Sequence, residues 1–285
     1  MMTEQVKPEI VHGMSFADYV DLDRVNASTL LTYHECSPQE ARYKQVHAEK
    51  DSTSLVKGHA THAAILEPEV FAAQFASMPK FGDYRVPENK ANRTQWEAEH
   101  AKSIILTESE HEAAISMRDS VLKSKTTKEF FDGDGTNEVT ILWADADTGL
   151  PCKARIDRLT FYHGYQMLID VKTARDIDDY WAQKAIADYN YHIRMTWYLD
   201  ALNLIKLADW RVCLVWALNR APWTARVTEF EEDDLIEGRL QYRRLLDTHA
   251  RCLESGYWPG YAQGIEPLGL PRYAYKLHQP KGVLR

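Results

Sequence analysis

Thiol clusters are missing from this sequence: four cysteines, Cys36, Cys152, Cys213 and Cys252, are spread over 285 residues with no CxxC spacing. An iron–sulfur cluster needs grouped thiolates, so that cofactor is excluded and a cytoplasmic chain with reduced thiols is expected. No apolar run suggests a membrane-spanning helix, and no charged start leads into a sustained apolar segment. Neither membrane association nor a signal peptide is therefore expected. The glycine-rich phosphate loop of ATPases is absent too, which leaves ATP-driven motion without support. Positive charge is in deficit, 34 Lys and Arg against 42 Asp and Glu, for a formal net charge of −8. Such a chain does not coat nucleic acid broadly, although a local basic channel is compatible with the total. Internal repeats and low-complexity tracts do not occur.

What is present suits one compact domain of α/β (α+β) class. Apolar residues make up 45% of the chain, enough at this length for a substantial core. Hydrophobic periodicity predicts helices near 27–33, 38–47, 54–66, 93–100 and 108–123, then strands at 138–144, 153–161 and 166–172. Helices follow near 178–186 and 189–205, strands at 210–218 and 223–230, and a long helix over 232–254. This order predicts a central mixed β-sheet flanked by helices, with a helical N-terminal elaboration. An N-terminal segment, 1–24, leads into a domain over 25–261, and an extended segment, 262–285, ends the chain.

Two short segments carry the chemistry, Lys153-Ala-Arg-Ile-Asp-Arg158 and Leu168-Ile-Asp-Val-Lys-Thr-Ala-Arg175. Side chains alternate along a strand, so Asp170 and Lys172 share one side while Ile169 and Val171 point into a core. If the strand bearing Asp157 pairs with this one, two carboxylates converge, a set suited to a hard, oxygen-seeking cation. Asp-x-Lys pairs also occur on solvated strand faces, where they contribute little. Here the apolar run from Met167 admits a charge only at Asp170, and a carboxylate there needs a partner or a metal to offset desolvation. Lys172 is placed to orient or deprotonate an attacking water, so the pattern is that of a metal-dependent nuclease. Glu138 is a weaker candidate, because a strand-edge glutamate is usually solvated. Lys153, Arg155, Arg158, Lys172, Arg175 and Arg194 surround the proposed centre in sequence, and Lys80, Arg85, Lys90 and Arg93 lie in a loop-like stretch placed to grip a duplex.

Further motifs flank these segments. Gly58-His-Ala-Thr-His62-Ala-Ala-Ile-Leu-Glu-Pro68 lies upstream and Tyr191-His-Ile-Arg-Met-Thr-Trp-Tyr198 downstream. With Ser37-Pro38, Glu138, Trp143, Thr148-Gly149, Asp157 and Asp170-Val-Lys-Thr173, they give an order and spacing that resembles the nuclease domain of the RecE, or exonuclease VIII, family. That family is a phage-derived branch of the PD-(D/E)XK superfamily, and the resemblance runs from about Val25 to about Tyr261. It implies a restriction-endonuclease-like core, a metal site of His62, Asp157, Asp170 and the Val171 carbonyl, and Lys172 as catalytic lysine. The implied cofactor is Mg²⁺, with Mn²⁺ as a substitute. Three departures stand out: Ile156 replaces the proline of the superfamily name, Asp170 is aspartate rather than glutamate, and Arg194 occupies a position where the family often has glutamine.

By the same resemblance, the substrate is linear double-stranded DNA, degraded from 5′ ends without ATP to leave 3′ single strands. The implied partner is a single-strand annealing recombinase of the RecT type. A ring-shaped homo-oligomer, trimer or tetramer, in a bacterial cytoplasm and of phage or prophage origin is the implied setting. Tyr191, Arg194 and Tyr198 share one helix face by their spacing. That face is expected to meet the DNA backbone, joined by Arg155, Arg158, Thr173 and Arg175. The alternative for the face is half-buried amphipathic packing. For the chain, the alternatives are a structure-selective or nicking endonuclease with the same centre, or a catalytically silent DNA-binding module.

Overall fold

The computed structural model describes residues 7–47, 53–261 and 264–271. Along the chain run β1 (Glu9–Val11), α1 (Phe16–Asp21), α2 (Ala27–Glu35), α3 (Pro38–Val46), α4 (Thr53–Leu66), α5 (Pro68–Gln74) and β2 (Phe75–Met78). Then come α6 (Pro87–Glu99), β3 (Ile104–Thr107), α7 (Glu108–Lys123), α8 (Lys125–Asp132), β4 (Gly135–Ala144), β5 (Pro151–Tyr162) and β6 (Tyr165–Ala174). The last elements are α9 (Asp179–Asp188), α10 (Tyr191–Ile205), β7 (Trp210–Leu218), β8 (Ala225–Glu229) and α11 (Glu232–Ser255). Six strands form one sheet in the order β1-β4-β5-β6-β7-β8, and β2 and β3 form a separate parallel pair. Only β6 and β7 are parallel in the large sheet, because α9 and α10 supply the crossover that a parallel pair requires. The expected mixed sheet with flanking helices is therefore present.

Helices cover both faces of the sheet, which explains the near-continuous apolar runs of its central strands. On one face Leu168, Leu214 and Trp216 pack with Leu30 of α2, Ile193 and Trp197 of α10, and Leu246 of α11. On the other, Ile169, Val171 and Val215 pack with Leu66 of α4, Met117 and Val121 of α7, and Phe130 of α8. A capping box at Thr107 and Glu110 starts α7, and Ser37 with Pro38 starts α3, so polar residues fix helices that periodicity alone leaves open at their ends. Where α10 crosses α11, a Cβ at Gly238 would lie 2.5 Å from the His192 carbonyl oxygen and 2.6 Å from Thr196 Oγ1, so the crossing admits only glycine.

Short elements depart most from the sequence reading. Strand β1 pairs antiparallel with β4, and α1, capped by Ser15, follows it, so the leading segment contributes to the main sheet. Helix α6 begins at Pro87 and takes in Lys90 and Arg93. The loop expected for Lys90 and Arg93 is corrected accordingly, and three of the four cations have acidic partners: Arg93 pairs with Glu97 at 2.6 Å, Arg85 with Asp83 at 2.9 Å and Lys80 with Glu108. Residues 257–261 and 264–271 carry no regular structure, and the rest of the expected 262–285 segment lies outside the described residues. Among the described residues, no helix is long and apolar enough to cross a membrane.

Candidate metal centre

Regular alternation fails where β4 and β5 meet. Val139 and Ile156, a cross-strand pair, belong to the core beneath α10. The next pair along, Asn137 and Arg158, turns the other way: Asn137 Nδ2 donates to the Leu66 carbonyl at the end of α4, and Arg158 Nε donates to the Phe130 carbonyl in α8. Between them, Glu138 adopts φ 52°, a left-handed conformation that costs a non-glycine residue about 1–2 kcal/mol. The ladder skips the Glu138–Asp157 pair without shifting register. On its other side, Asp157 lies opposite Asp170 in the continuation of the β5–β6 register, just beyond the last paired residues, Arg158 and Ile169. There the Val171 N–H donates to Asp157 Oδ2 at 2.7 Å instead of to a backbone carbonyl. Three carboxylates thus occupy one row across three strands, at the seam between the two cores.

A histidine from the helical layer completes the group. His62 Nδ1 lies 3.4 Å from Asp157 Oδ2. One ligand atom each from His62, Glu138 and Asp157 falls within 4.8 Å of the others, the spacing of a shared cation. Burial and then the Asp157 charge push the Glu138 carboxyl up to about 8, against the pull of Arg155. Asp157 is also raised, first by burial and then by Asp170, with His62, Lys172 and the Val171 amide opposing. Carboxylates whose ionisation is opposed by burial and by one another, together with an imidazole, fit a hard divalent cation. Asp170, 1% exposed, stands outside the tight trio and forms an ion pair with Lys172. The same ammonium donates to the Val171 carbonyl at 3.3 Å, so Lys172 touches two of the groups that the resemblance assigns to the metal.

The expected DNA-binding arginines separate into two classes. Arg155 and Arg158 are 7% and 4% exposed, and their donors are taken internally, which corrects their assignment to a DNA surface. Arg155 pairs with Glu138, reaches Glu67 at 3.8 Å and donates to the Met14 carbonyl at 2.7 Å. Arg158 serves Phe130, Phe131 and Gly133 carbonyls and Asn137 Oδ1. Lys153, also buried, donates to the carbonyls of Tyr19, Val20 and Leu22, anchoring the end of α1. By contrast, Thr173 is half-buried and Arg175 exposed near the end of β6. On α10, the Tyr191 ring lies 5.2 Å from Lys172 Nζ. Arg194 Nε is buried without a hydrogen-bond partner among the described residues. Burial opposes the Arg194 charge, but Tyr198, Asp170, Tyr191 and Asp157 more than restore it. The face formed by Tyr191, Arg194 and Tyr198 therefore turns toward the carboxylates rather than out to solvent. Sequence spacing gave no role to Glu67 or Tyr19, which join the centre through Arg155; Tyr19 lies 6.0 Å from its guanidinium.

A sequence model of the family described as "PDDEXK-like domain of unknown function (DUF3799)" matches residues 26–270. No curated protein matches the chain. A solved structure from Eubacterium rectale, described as a "Putative exonuclease", superposes with a TM-score of 0.59 at 10% identity, covering 85% of this chain and 87% of that one. At that identity it shows the fold alone. Another, described as SSO0001, covers 60% of this chain and 82% of its own at 17% identity, and its TM-score of 0.26 carries no argument.

Proposed function

The chain belongs to the family of PDDEXK-like domains, and from that footing we propose that it is a Mg²⁺-dependent exodeoxyribonuclease acting on linear double-stranded DNA. The observation that carries this reading is the carboxylate row Glu138, Asp157 and Asp170 with His62 at one side and Lys172 at the other. The description of the Eubacterium rectale protein that shares the fold agrees with it. His62, Glu138 and Asp157 would hold the cation, with Asp170 beside them and Mn²⁺ as an alternative occupant. A divalent cation supplies charge neutralisation at phosphoryl oxygens and a lowered pKa for water.

The chain's own groups do the rest. The Val171 amide fixes the Asp157 carboxylate, and Arg155 fixes Glu138, so both acceptors are oriented before substrate arrives. Lys172 is positioned to hold the attacking water and to counter the charge that develops on the phosphoryl group. Arg194 has a donor that no described protein group takes, and a phosphate oxygen would satisfy it. Resection from 5′ ends to leave 3′ tails, a ring-shaped oligomer and a RecT-type annealing partner follow from the resemblance in the motifs.

The test is a time course on end-labelled linear duplex beside a covalently closed circle, with and without Mg²⁺. Loss of linear DNA alone, in Mg²⁺ alone, supports the proposal. Cutting of the circle favours the endonuclease alternative, and binding without any cutting favours the silent module.

A further inference from the structure

Tyr189 is 64% exposed, yet its ring is not left to wander. It ends α9, and the next residue, Asn190, is 7% exposed and left-handed at φ 54° and ψ 39°. That turn brings the rings of Tyr189 and Tyr191 to 5.6 Å between centroids, tilted at 32°. Side chains two apart on a continuing helix would diverge by about 160° instead. Tyr191 is braced in turn against Trp216, 1% exposed, at 5.9 Å, and against Lys172 Nζ at 5.2 Å. The chain thus holds a solvent-facing aromatic ring one ring away from the lysine of the candidate centre.

From this we infer that Tyr189 is a stacking platform for an unpaired nucleobase of the strand whose phosphate lies at the carboxylate row. The inference rests on the nuclease reading above and specifies its substrate more narrowly. An exposed ring presents a π-face to any base, and stacking on it is tolerant of sequence, as an end-degrading enzyme requires. Tyr191 lies 5.2 Å from Lys172 Nζ and Tyr189 one ring further out, so the base beside a phosphate at Lys172 would be in reach of the exposed ring. A paired base offers its face only to its own stack, so the platform favours an end whose terminal nucleotide is open.

The experiment uses the full chain and duplexes carrying 2-aminopurine either at an unpaired terminal position or at a paired internal one. Ca²⁺ replaces Mg²⁺ for binding, and Mg²⁺ is used for single-turnover cleavage. Wild type and Tyr189→Phe should quench the unpaired terminal probe and leave the internal one unchanged. Tyr189→Ala should lose the quenching and bind open-ended DNA at least about fivefold more weakly. Its melting temperature and salt dependence should match wild type, because the ring is exposed and neutralises no phosphate. Wild-type quenching and affinity in Tyr189→Ala, from an enzyme that cleaves normally, would overturn the platform and leave the nuclease reading standing. A wild type that quenches the terminal probe but never cleaves would instead sink the nuclease reading, and one that binds no DNA would sink both.

Discussion

Glu138→Gln isolates the electrostatic cost of the carboxylate row. The substitution keeps the size of the side chain and an acceptor for Arg155 while removing one charge. In the metal-free chain, Glu138 is raised from 4.5 to about 8, first by burial and then by Asp157. Between those values the folded chain keeps a proton that the unfolded chain has released, so stability falls as pH rises. At about 1.4 kcal/mol per unit, the shift corresponds to at most about 5 kcal/mol, and relaxation with water entry should leave roughly 1–3 kcal/mol. For a chain of this size, that is a difference of about 2–5 °C in melting temperature. The assay is thermal unfolding in EDTA from pH 5.5 to 8.5, comparing wild type with Glu138→Gln. His249, whose pKa is lowered by burial, gives a slope of opposite sign. Both proteins share it, so it cancels in the difference. Wild type should lose stability relative to Glu138→Gln as pH rises, and Mg²⁺ should stabilise wild type more at pH 8.5 than at 5.5. Parallel pH profiles for the two proteins would refute the reasoning.

Lys172→Ala should lower the single-turnover cleavage rate by at least about a hundredfold with little change in duplex affinity; lost affinity with an unchanged rate would make Lys172 a binding residue instead. Arg194→Ala should weaken DNA binding and flatten its salt dependence by about one counterion, with Arg194→Gln keeping more activity. A reduced melting temperature with an unchanged salt slope would mean that Arg194 serves packing alone. Gly238→Ala should destabilise the α10–α11 crossing by about 1–3 kcal/mol, read as a lower midpoint in chemical denaturation, because its Cβ meets the His192 carbonyl at 2.5 Å.

Long, strongly patterned elements were legible in the sequence. The predicted 108–123 helix and 210–218 strand match α7 (Glu108–Lys123) and β7 (Trp210–Leu218). Strand β1 and helices α5 and α8 escaped notice because three to eight residues carry too little periodicity to separate helix, strand and loop. The proximity of Asp157, Asp170 and Lys172 was readable because period-two alternation holds along β6. It fails where β4 meets β5, because the left-handed Glu138 on β4, opposite Asp157 on β5, sends Val139 and Asn137 to different cores. Alternation alone consequently puts Arg155 and Arg158 at the surface, whereas both are buried with internal partners. Glu138 looked solvated for a related reason: nothing local in a sequence shows that a residue faces another carboxylate across a broken ladder.

The most direct measurement is the Mg²⁺ dependence of single-turnover cleavage of linear duplex by wild type and Asp157→Asn, with Mg²⁺ or Mn²⁺ binding followed by calorimetry on the same preparations. Wild type should bind the cation and cleave only in its presence. Asp157→Asn, which lacks the carboxylate at the middle of the row, should fold normally, bind the cation at least about tenfold more weakly and cleave no DNA. Cleavage by wild type in EDTA, or wild-type binding and turnover by Asp157→Asn, would contradict the assignment of this row as the metal centre of a nuclease.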